Sequence, residues 1–384
     1  MNKFKSNILI FGDICPTRDT RELIETGDNK TLLGNVQRLL DNSDFSLCNV
    51  EFPLIDNGTP IQKTGPLLSG ATSSIDLFKN AGFSLLSLAN NHIKDYGEEG
   101  VRSTLKVARK LKIPTVGAGL TLAEAKLGYS HEVNGLRIGV MAFAEQEYNT
   151  ATENSSGSSF LDPYSDFDTI KEFKATVDYL IVLYHGGIEY YEYPSPLLQK
   201  KCRKLVESGA DFVSCQHSHI VGTRESYLEG EILYGQGNSV FGYREGKPSW
   251  NTGLLVHIAL EKSGGVILPR ITYVPIRAHT KGGINSLAGI YAAEILNKLE
   301  QRSQKLTDTE FLKKEWFSFC AKQANLVLPQ LLGYNRWLIH ANRLSNGWIT
   351  KLFYRKKKAM ISQNIIRCEA HNEVVQTILS QKSK

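Results

Sequence analysis

Several apolar runs of the sequence are followed at once by side chains that commonly bind metal ions. These side chains are two carboxylates, one amide and four imidazoles, in chain order Asp13, Glu51, Asn91, His92, His185, His217 and His219. Carboxylate oxygens and imidazole nitrogens together form a mixed ligand set that favours Zn, Mn or Fe over Ca or Mg. The sequence therefore predicts a divalent-metal site with one or two ions.

The number and spacing of these residues indicate the chemistry of the site. His217 and His219 are two residues apart, so on an extended backbone both imidazoles would point to the same side. Two ions that share a bridging carboxylate would use this many ligands. Such a pair generates a hydroxide at neutral pH and stabilises both oxygens of an in-line phosphoryl displacement. Metal-assisted hydrolysis is therefore the predicted reaction.

The apolar runs that position these residues have the length of buried β-strands. In chain order they are Ile8–Phe11, Phe45–Val50, Leu85–Leu88, Ile138–Phe143, Tyr179–Tyr184 and Phe212–Cys215. The amphipathic segments Gly100–Leu111 and Pro196–Ser208 alternate with them, which predicts an α/β fold. Ligands of open α/β sheets collect at the carboxyl ends of strands, where these polar residues fall. The closely spaced runs Leu254–Leu260 and Val266–Val274 predict antiparallel pairing, and hence a mixed sheet arrangement.

The composition excludes several classes of protein. Of the 384 residues, 41% are hydrophobic and 22% are charged, which excludes disordered, collagen and coiled-coil chains. No apolar run approaches the roughly 18 residues of a membrane span, and Met1–Ile10 has too short an apolar stretch for a signal peptide. The six cysteines are scattered, which indicates reduced thiols. We therefore expect a cytoplasmic location, including the inner face of the membrane.

Charge divides the chain into two regions. Residues 285–384 contain 16 basic and 7 acidic residues, a net charge of +9. Residues 1–284 contain 29 basic and 32 acidic residues, a net charge of −3. The pattern after residue 284 is helical, so we predict a domain at 1–284 and a basic helical region at 285–384. The run Arg355–Lys358, close to Trp348 and Phe353, is either a membrane-docking patch or a solvated helix face. Nothing in this region resembles a nucleic-acid module, so we expect no nucleic-acid partner.

The order of the motifs resembles the bacterial CapA family of poly-gamma-glutamate capsule biosynthesis proteins, which are related to the calcineurin-like metallophosphoesterases. The resemblance covers about residues 6–280 and is especially close from Ser87 to Gly119. In chain order the motifs are Gly12-Asp13, Asn49-Val50-Glu51, Ala89-Asn90-Asn91-His92 with Asp95 and Gly97, His185-Gly186, His217-Ser218-His219 and Ile232–Asn238. The resemblance implies a four-layer α/β/β/α sandwich with a dinuclear metal site between the sheets. It leaves the C-terminal helical extension without a family counterpart.

The resemblance also implies a role for each residue of the site. Two metal sites would share Glu51 as a bridge, with Asp13, Glu51 and His219 at one ion and Glu51, Asn91, His185 and His217 at the other. His92 would face the substrate and protonate the leaving oxygen, and Asp95 would be the partner of its ring. The nucleophile would be a metal-activated hydroxide, without a covalent intermediate.

One position departs from the pattern of the phosphoesterases. Their first motif is usually Asp-x-His, and here the third residue is Cys15. The CapA branch commonly lacks this histidine as well. Cys15 is either a thiolate ligand for a soft metal such as zinc or an inert packed thiol. A single metal ion, or one tightly bound ion with one weakly bound ion, is as consistent with these ligands as two tightly bound ions.

These residues and the resemblance predict a metal-dependent hydrolase of phosphoesters in the biosynthesis of capsule, poly-gamma-glutamate or another cell-surface polymer. Two alternatives stay open: a non-catalytic accessory subunit of a polymer synthase or export complex, and a metal-dependent amidase that acts on poly-gamma-glutamate. The expected partners are an anionic polymer or phosphoester substrate and the synthase or export proteins. Arg18, Lys63 and Arg224 lie near the motifs and are candidates to bind an anionic substrate.

Overall fold

The computed structural model describes residues 4–382, with the side chains of residues 5–17 and 19–379. In the described chain the strands are β1 Phe4–Ile14, β2 Phe45–Val50, β3 Leu85–Ser87, β4 Thr115–Val116, β5 Ala118–Gly119, β6 Tyr129–Val133, β7 Leu136–Ala144, β8 Gly157–Ser158, β9 Tyr179–His185, β10 Phe212–Gln216, β11 Arg224–Tyr227, β12 Gly230–Leu233, β13 Asn238–Val240, β14 Thr252–Ser263, β15 Val266–Ala278 and β16 Ile284–Ser286. The α-helices are α1 Arg18–Thr26, α2 Asn29–Leu33, α3 Gln37–Asp41, α4 Ile75–Ala81, α5 Gly97–Lys110, α6 Leu122–Ala125, α7 Asp166–Lys174, α8 Pro196–Glu207, α9 Gly289–Gln304, α10 Thr309–Leu331, α11 Arg336–Leu344, α12 Trp348–Phe353, α13 Lys356–Arg367 and α14 Glu369–Lys382.

The first sheet has the strand order β16-β15-β14-β1-β2-β3-β4, and β13 also pairs with β1. The neighbours β1, β2, β3 and β4 are parallel, whereas β14, β15 and β16 pair in the antiparallel sense. The predicted antiparallel pairing of the two late runs is therefore confirmed. Because the parallel strands end at the same edge, the residues that follow β1, β2 and β3 meet there.

The second sheet has the strand order β11-β12-β10-β9-β7-β6. The four inner strands are parallel, and the edge strands β11 and β6 are antiparallel to their neighbours. Gln216 at the end of β10 lies opposite His185 at the end of β9. This register places the segment after β10 beside His185.

The alternation of side chains along β1 shows how the layers are held together. Ile8 and Ile10 point into an apolar core that also contains Val140 and Ile181 of the second sheet. Leu9 and Phe11 point the other way, into a core shared with α4 and α5, as the two-residue period of a strand requires. Helices α7 and α8 pack on the second sheet. The layers are therefore α/β/β/α, and the predicted fold class is confirmed.

By contacts the chain forms two compact units, Met1–Thr307 and Asp308–Lys384. The first unit extends past residue 284 because Leu299 of α9 lies in the core between the sheets. The functional boundary after residue 284 stays a prediction.

The second unit consists of the helices α10 to α14. It buries few apolar side chains: Trp337 is 83% exposed, Leu344 77% and Trp348 63%. Among the described residues, no helix has both the length and the apolar composition to cross a bilayer.

Candidate metal centre

A buried polar cluster lies where strands of both sheets end. Its ligand atoms form two groups, and within each group all of them lie within 4.8 Å of one another. One group contains Glu51, His185 and His217, and the other contains Asp13, Glu51 and His219. Glu51 belongs to both groups, which is the bridging position that the resemblance implies. The cluster can hold a divalent metal, whereas the role of each residue as a ligand stays a prediction.

The strand ends bring these side chains together through their register. Asp13, near the end of β1, lies opposite Asn49 of β2, and the register between these strands shifts between Ile10 and Asp13. A local irregularity of this kind changes the direction in which a side chain points, and such irregularities are common next to active sites. Glu51 directly follows β2, and its backbone N–H donates to the carbonyl oxygen of Ile14 at 3.1 Å.

The two paired histidines do not continue the strand, so the extended backbone expected for them is not found. β10 ends at Gln216, and both His217 (φ 79°) and His219 (φ 59°) adopt the left-handed region. This conformation costs free energy for residues other than glycine and is found preferentially at functional sites. The tight turn still directs both rings into the cluster, where their centroids lie 6.0 Å apart.

Asp13 is held rigidly by two donors. The Asn49 side chain donates from Nδ2 to Oδ1 of Asp13 at 2.7 Å, and the backbone N–H of His217 donates to Oδ2 at 3.1 Å. Asn49 in turn accepts a hydrogen bond from Nδ2 of Asn90 at 3.1 Å. These neutral donors fix the carboxylate and leave its remaining lone pairs facing the cluster. Such orientation by outer groups is usual around metal ligands.

Glu51 provides the test of whether these residues fit a metal. It is fully buried, and neither carboxylate oxygen has a hydrogen-bond partner among the described residues; the same is true of Nδ1 of His217. Leaving a buried carboxylate unpaired costs several kcal/mol, on the order of the effective penalty for one buried ion. A divalent cation between carboxylate oxygens and imidazole nitrogens satisfies these atoms, so the residues fit the predicted group.

The electrostatics of the cluster agree with this fit. Burial and the neighbouring Asp13 raise the pKa of Glu51 well above its usual value. Burial lowers the pKa of His219 to about 4. Burial, together with the charges of His185 and His219, lowers the pKa of His217 well below its usual value. At neutral pH these two imidazoles are therefore neutral, which is the form that coordinates metals.

Two further contacts concern Asn91, the one remaining predicted ligand, and the ring of His219. Oδ1 of Asn91 lies 3.1 Å from Nε2 of His185, beside the first group. Nδ1 of His219 lies 2.9 Å from Oδ1 of Asn238, so the other ring nitrogen of His219 is free to face the cluster. An amide that holds one nitrogen of a ligating imidazole fixes the orientation of its ring.

His92 and Asp95 form the pair that the resemblance implies. Nδ1 of His92 lies 2.7 Å from Oδ2 of Asp95, and Nε2 of His92 lies 3.9 Å from Oε1 of Glu51. Asp95 also accepts hydrogen bonds from the backbone N–H of Leu68 at 2.7 Å and from the Lys63 side chain. Burial lowers the pKa of His92, although the hydrogen bond to Asp95 opposes this shift.

Cys15 lies outside both groups of ligand atoms. Its side chain is fully buried against Phe241 and Trp250, and burial together with the charges of Glu51 and Asp13 raises the pKa of its thiol well above the usual value. These surroundings favour an inert packed thiol over a thiolate ligand for the metal.

The three candidate cations have different environments. Lys63 is buried in the site, with its Nζ 3.2 Å from Nδ1 of His92, so it contacts the proposed acid. Arg224 forms ion pairs with Glu231 at 3.1 Å and Glu300 at 2.6 Å, and these occupy its guanidinium. The side chain of Arg18 lies outside the described residues.

Sequence reasoning missed the asparagines that orient the site. Asn49 and Asn238 belong to the motifs that carry the family resemblance, and their place in these motifs is the signal that could have given them a role. Asn149 carried no such signal, because it lies in a loop far along the chain. Its Nδ2 donates to the carbonyl oxygen of Asn90 at 3.0 Å and to Oγ of Ser158 at 2.7 Å.

Comparison with known proteins gives the chain a family. The family described as bacterial capsule synthesis protein PGA_cap matches residues 7–243. The capsule biosynthesis protein CapA of Bacillus anthracis is 30% identical over 273 residues, which cover 69% of this chain and 66% of that protein. The PGA biosynthesis protein CapA of Bacillus subtilis (strain 168) is 29% identical over 272 residues, 70% of each chain.

Among solved structures, the 5'-nucleotidase precursor from Thermus thermophilus aligns with a TM-score of 0.43 and 16% identity, over 79% of this chain and 60% of that one. The chain spans 66% of the length of the Bacillus anthracis relative. Since the family match covers more than half of the 384 residues, as the order of the motifs predicts, this chain belongs to the bacterial capsule synthesis protein family.

Proposed function

We propose that the chain is a metal-dependent hydrolase that cleaves a phosphoester or phosphate-linked intermediate in the synthesis of poly-gamma-glutamate or another capsule polymer. The observation that supports this proposal is the fully buried carboxylate of Glu51, which lies within two groups of ligand atoms and has no hydrogen-bond partner among the described residues. The His92–Asp95 pair beside it adds a group that can transfer a proton. The capsule context comes from the family.

Each residue of the site has a distinct part in this proposal. When bound, a divalent ion polarises the phosphoryl oxygen and lowers the pKa of a coordinated water. Six side chains would hold the ions: Asp13, Glu51, Asn91, His185, His217 and His219. Asp95 accepts the Nδ1–H of His92 and stabilises its protonated form. Nε2 of His92 then faces the cluster and can donate its proton to the leaving oxygen.

The ligand set accepts several metals, and we propose Mn, Zn or Fe. The three imidazoles among the six ligands favour these ions over Mg and Ca, which prefer sites built from oxygen. One or two ions are expected, because the two groups share Glu51.

The test measures the metal content of the purified full chain together with hydrolysis of p-nitrophenyl phosphate and bis-p-nitrophenyl phosphate in the presence of manganese. Up to two ions per chain with turnover of either ester is the expected result, and the preferred ester distinguishes monoester from diester chemistry. Metal without turnover would favour the accessory-subunit or amidase alternatives. A chain that binds no metal after reconstitution would overturn the proposal.

We also infer that the second unit docks on an anionic membrane surface, which would place the protein at the inner face of the membrane. Arg355–Lys358 supplies four positive charges, and Trp348 and Phe353 nearby are 63% and 51% exposed. A basic residue close to an anionic surface contributes about 1 kcal/mol to the free energy of binding.

The full chain should co-sediment with phosphatidylglycerol vesicles at low salt. Replacement of the four basic residues by glutamine should abolish this binding, and equal binding by the variant would contradict the inference.

A further inference from the structure

A cationic cavity lies beside the metal centre, on the side of His219. Its volume is about 390 Å³, and its lining includes Tyr190, Arg244, Lys247 and Trp250. The His219 ring centroid lies 4.8 Å from that of Trp250 and 6.3 Å from that of Tyr190. The described residues that line the cavity include two cations and no acidic residue. A ligand in this cavity would therefore be held next to the metal centre by positive charge.

The Arg244 side chain is exposed at the surface, but two contacts fix its position. Its guanidinium carbon lies 3.2 Å from the ring centroid of the buried Trp250, and its Nη1 donates to the Tyr190 hydroxyl at 3.3 Å. Stacking on an aromatic face orients the guanidinium plane and leaves its other N–H groups free. Glu189, beside Tyr190, experiences the positive charge of Arg244 but is not part of the lining.

The loop that carries Tyr190 is attached to the metal-binding turn. Tyr190 adopts a left-handed backbone (φ 60°), and its N–H donates to the carbonyl oxygen of Ser218, between the two histidines, at 2.9 Å. A strained residue fixed in this way indicates a constrained functional position. The cavity and the metal centre are therefore built from one connected set of loops.

A second cavity of about 310 Å³ lies next to the first, and Pro248 and Ser249 line both. Its lining contains Arg277, Arg302 and Lys298 together with two glutamates. Arg302 forms an ion pair with Glu192, and Nζ of Lys298 lies 2.6 Å from Oε1 of Glu294. Among the described residues, the buried Nε of Arg277 has no hydrogen-bond partner. The charges of Lys298 and Arg277 both lower the pKa of Glu294, so the lining, with three cations against two acidic residues, keeps one positive charge in excess.

We propose that the two cavities form a track of carboxylate subsites along which an anionic polymer chain reaches the metal centre. Arg244 and Lys247 would bind the carboxylate nearest the cluster, and Arg277 a carboxylate further along the chain. Guanidinium groups bind carboxylates with two parallel hydrogen bonds. Two separate cationic subsites on one path suit a repeating polyanion, whereas a single phosphate would fill only one of them. This inference rests on the proposed function: the polymer chain in the two cavities would carry the phosphate-linked end that the metal centre cleaves.

The test is equilibrium binding of γ-linked glutamate oligomers to the metal-loaded full chain, measured by calorimetry at low salt. Affinity should rise between oligomers of about three and about ten residues, because the longer ones engage both cavities. Arg244→Gln should weaken both oligomers about tenfold, whereas Arg277→Gln should weaken only the longer one, as expected for loss of a hydrogen bond to a charged group. Lys247→Gln provides a second variant of the first cavity.

The control is Arg38→Gln, which removes the same charge from the exposed face of α3 and should leave oligomer binding unchanged. Equal oligomer binding by wild type and Arg244→Gln, or no binding by wild type, would overturn the proposal. Binding of inorganic phosphate that depends on Arg244, without oligomer binding, would also overturn it and indicate a phosphate subsite. If the p-nitrophenyl esters are not hydrolysed but Arg244→Gln still weakens the oligomers tenfold, the hydrolase proposal fails and the track is supported.

Discussion

Glu51 is the residue at which we expect folding and metal binding to be most directly linked. Its carboxylate is fully buried without a hydrogen-bond donor among the described residues, and its neighbour Asp13 carries a second negative charge. An ion that binds only the folded state stabilises it by about 4 kcal/mol at a thousand times its dissociation constant. The same site is a source of instability when no ion is bound.

The first prediction follows from this link. Glu51→Gln should raise the melting temperature of the metal-free protein, because it removes a buried carboxyl group that is costly to ionise, and should abolish the further rise that manganese gives the wild type. Differential scanning fluorimetry with and without manganese measures both effects. Glu99→Gln, at an exposed position of α5, serves as the control and should leave the manganese effect intact. A Glu51→Gln protein that manganese stabilises as much as the wild type would show that Glu51 is not a ligand.

The second prediction concerns pH. The pKa of His219 is about 4 in the folded chain against 6.5 for the free side chain, so the unfolded chain binds more protons between these values. The metal-free protein should therefore lose stability as pH falls from 6.5 towards 4, on the order of 3 kcal/mol from this group. Urea unfolding across this range, compared with His219→Gln, isolates the contribution. The exposed His131→Gln should follow the wild type, and a pH dependence unchanged in His219→Gln would refute the assignment.

The third prediction concerns the proposed general acid. His92→Ala should leave the metal content nearly intact, because the ring lies outside the two groups of ligand atoms. Turnover of a phosphodiester should fall by about a hundredfold, the usual contribution of a positioned acid. Metal analysis and steady-state rates on the same preparation check both statements. Equal turnover by the variant and the wild type would show that His92 is not the acid of the reaction.

At the scale of elements, the strands were more predictable than the connections between them. The run Phe45–Val50 coincides with β2 because all six of its side chains are buried, and such a strand reads as an uninterrupted apolar run. The turn at His217 could not be predicted, since its left-handed backbone is fixed by the hydrogen bond from its N–H to Asp13. That contact joins residues 204 positions apart. Lys63 was identified only as a nearby charge, because its ion pair with Asp95 depends on loop packing.

The fourth prediction concerns the pairing of β1 with the segment before β13. A Cβ on Gly12 would lie 2.6 Å from the carbonyl oxygen of Gly237, so Gly12→Ala must displace backbone next to Asp13. We expect a loss of about 1–3 kcal/mol in stability, typical of overpacking, together with weaker metal binding. Urea unfolding and metal titration measure these effects. Gly265→Ala, where no atom lies within 4 Å of the new Cβ but φ is 84°, should lose stability through backbone strain alone and leave metal affinity unchanged; equal effects of the two variants on metal binding would contradict the explanation.

At the scale of the whole molecule, the two compact units differ in charge as well as in packing. Residues 308–384 contain 13 basic and 5 acidic residues, a net charge of +8, whereas residues 1–307 have a net charge of −2. All the candidate ligands belong to the first unit, and the exposed aromatic and basic residues of Trp348 to Lys358 belong to the second. In our proposal, the first unit carries the metal chemistry and the second unit attaches the protein to a surface.

The fifth prediction tests this separation with two truncated chains. Residues 1–307 should fold and bind as much metal as the full chain, because this unit contains both groups of ligand atoms. Residues 1–284 lack α9, whose Leu299 lies in the core between the sheets and whose Glu300 pairs with Arg224 at 2.6 Å. Loss of this leucine alone costs about 3 kcal/mol or more, so this shorter chain should unfold at lower urea concentration. Metal content and urea unfolding of both chains are the measurements. Loss of metal from residues 1–307 would mean that the helical unit supports the centre, and equal stability of the two chains would mean that α9 does not belong to the folded core.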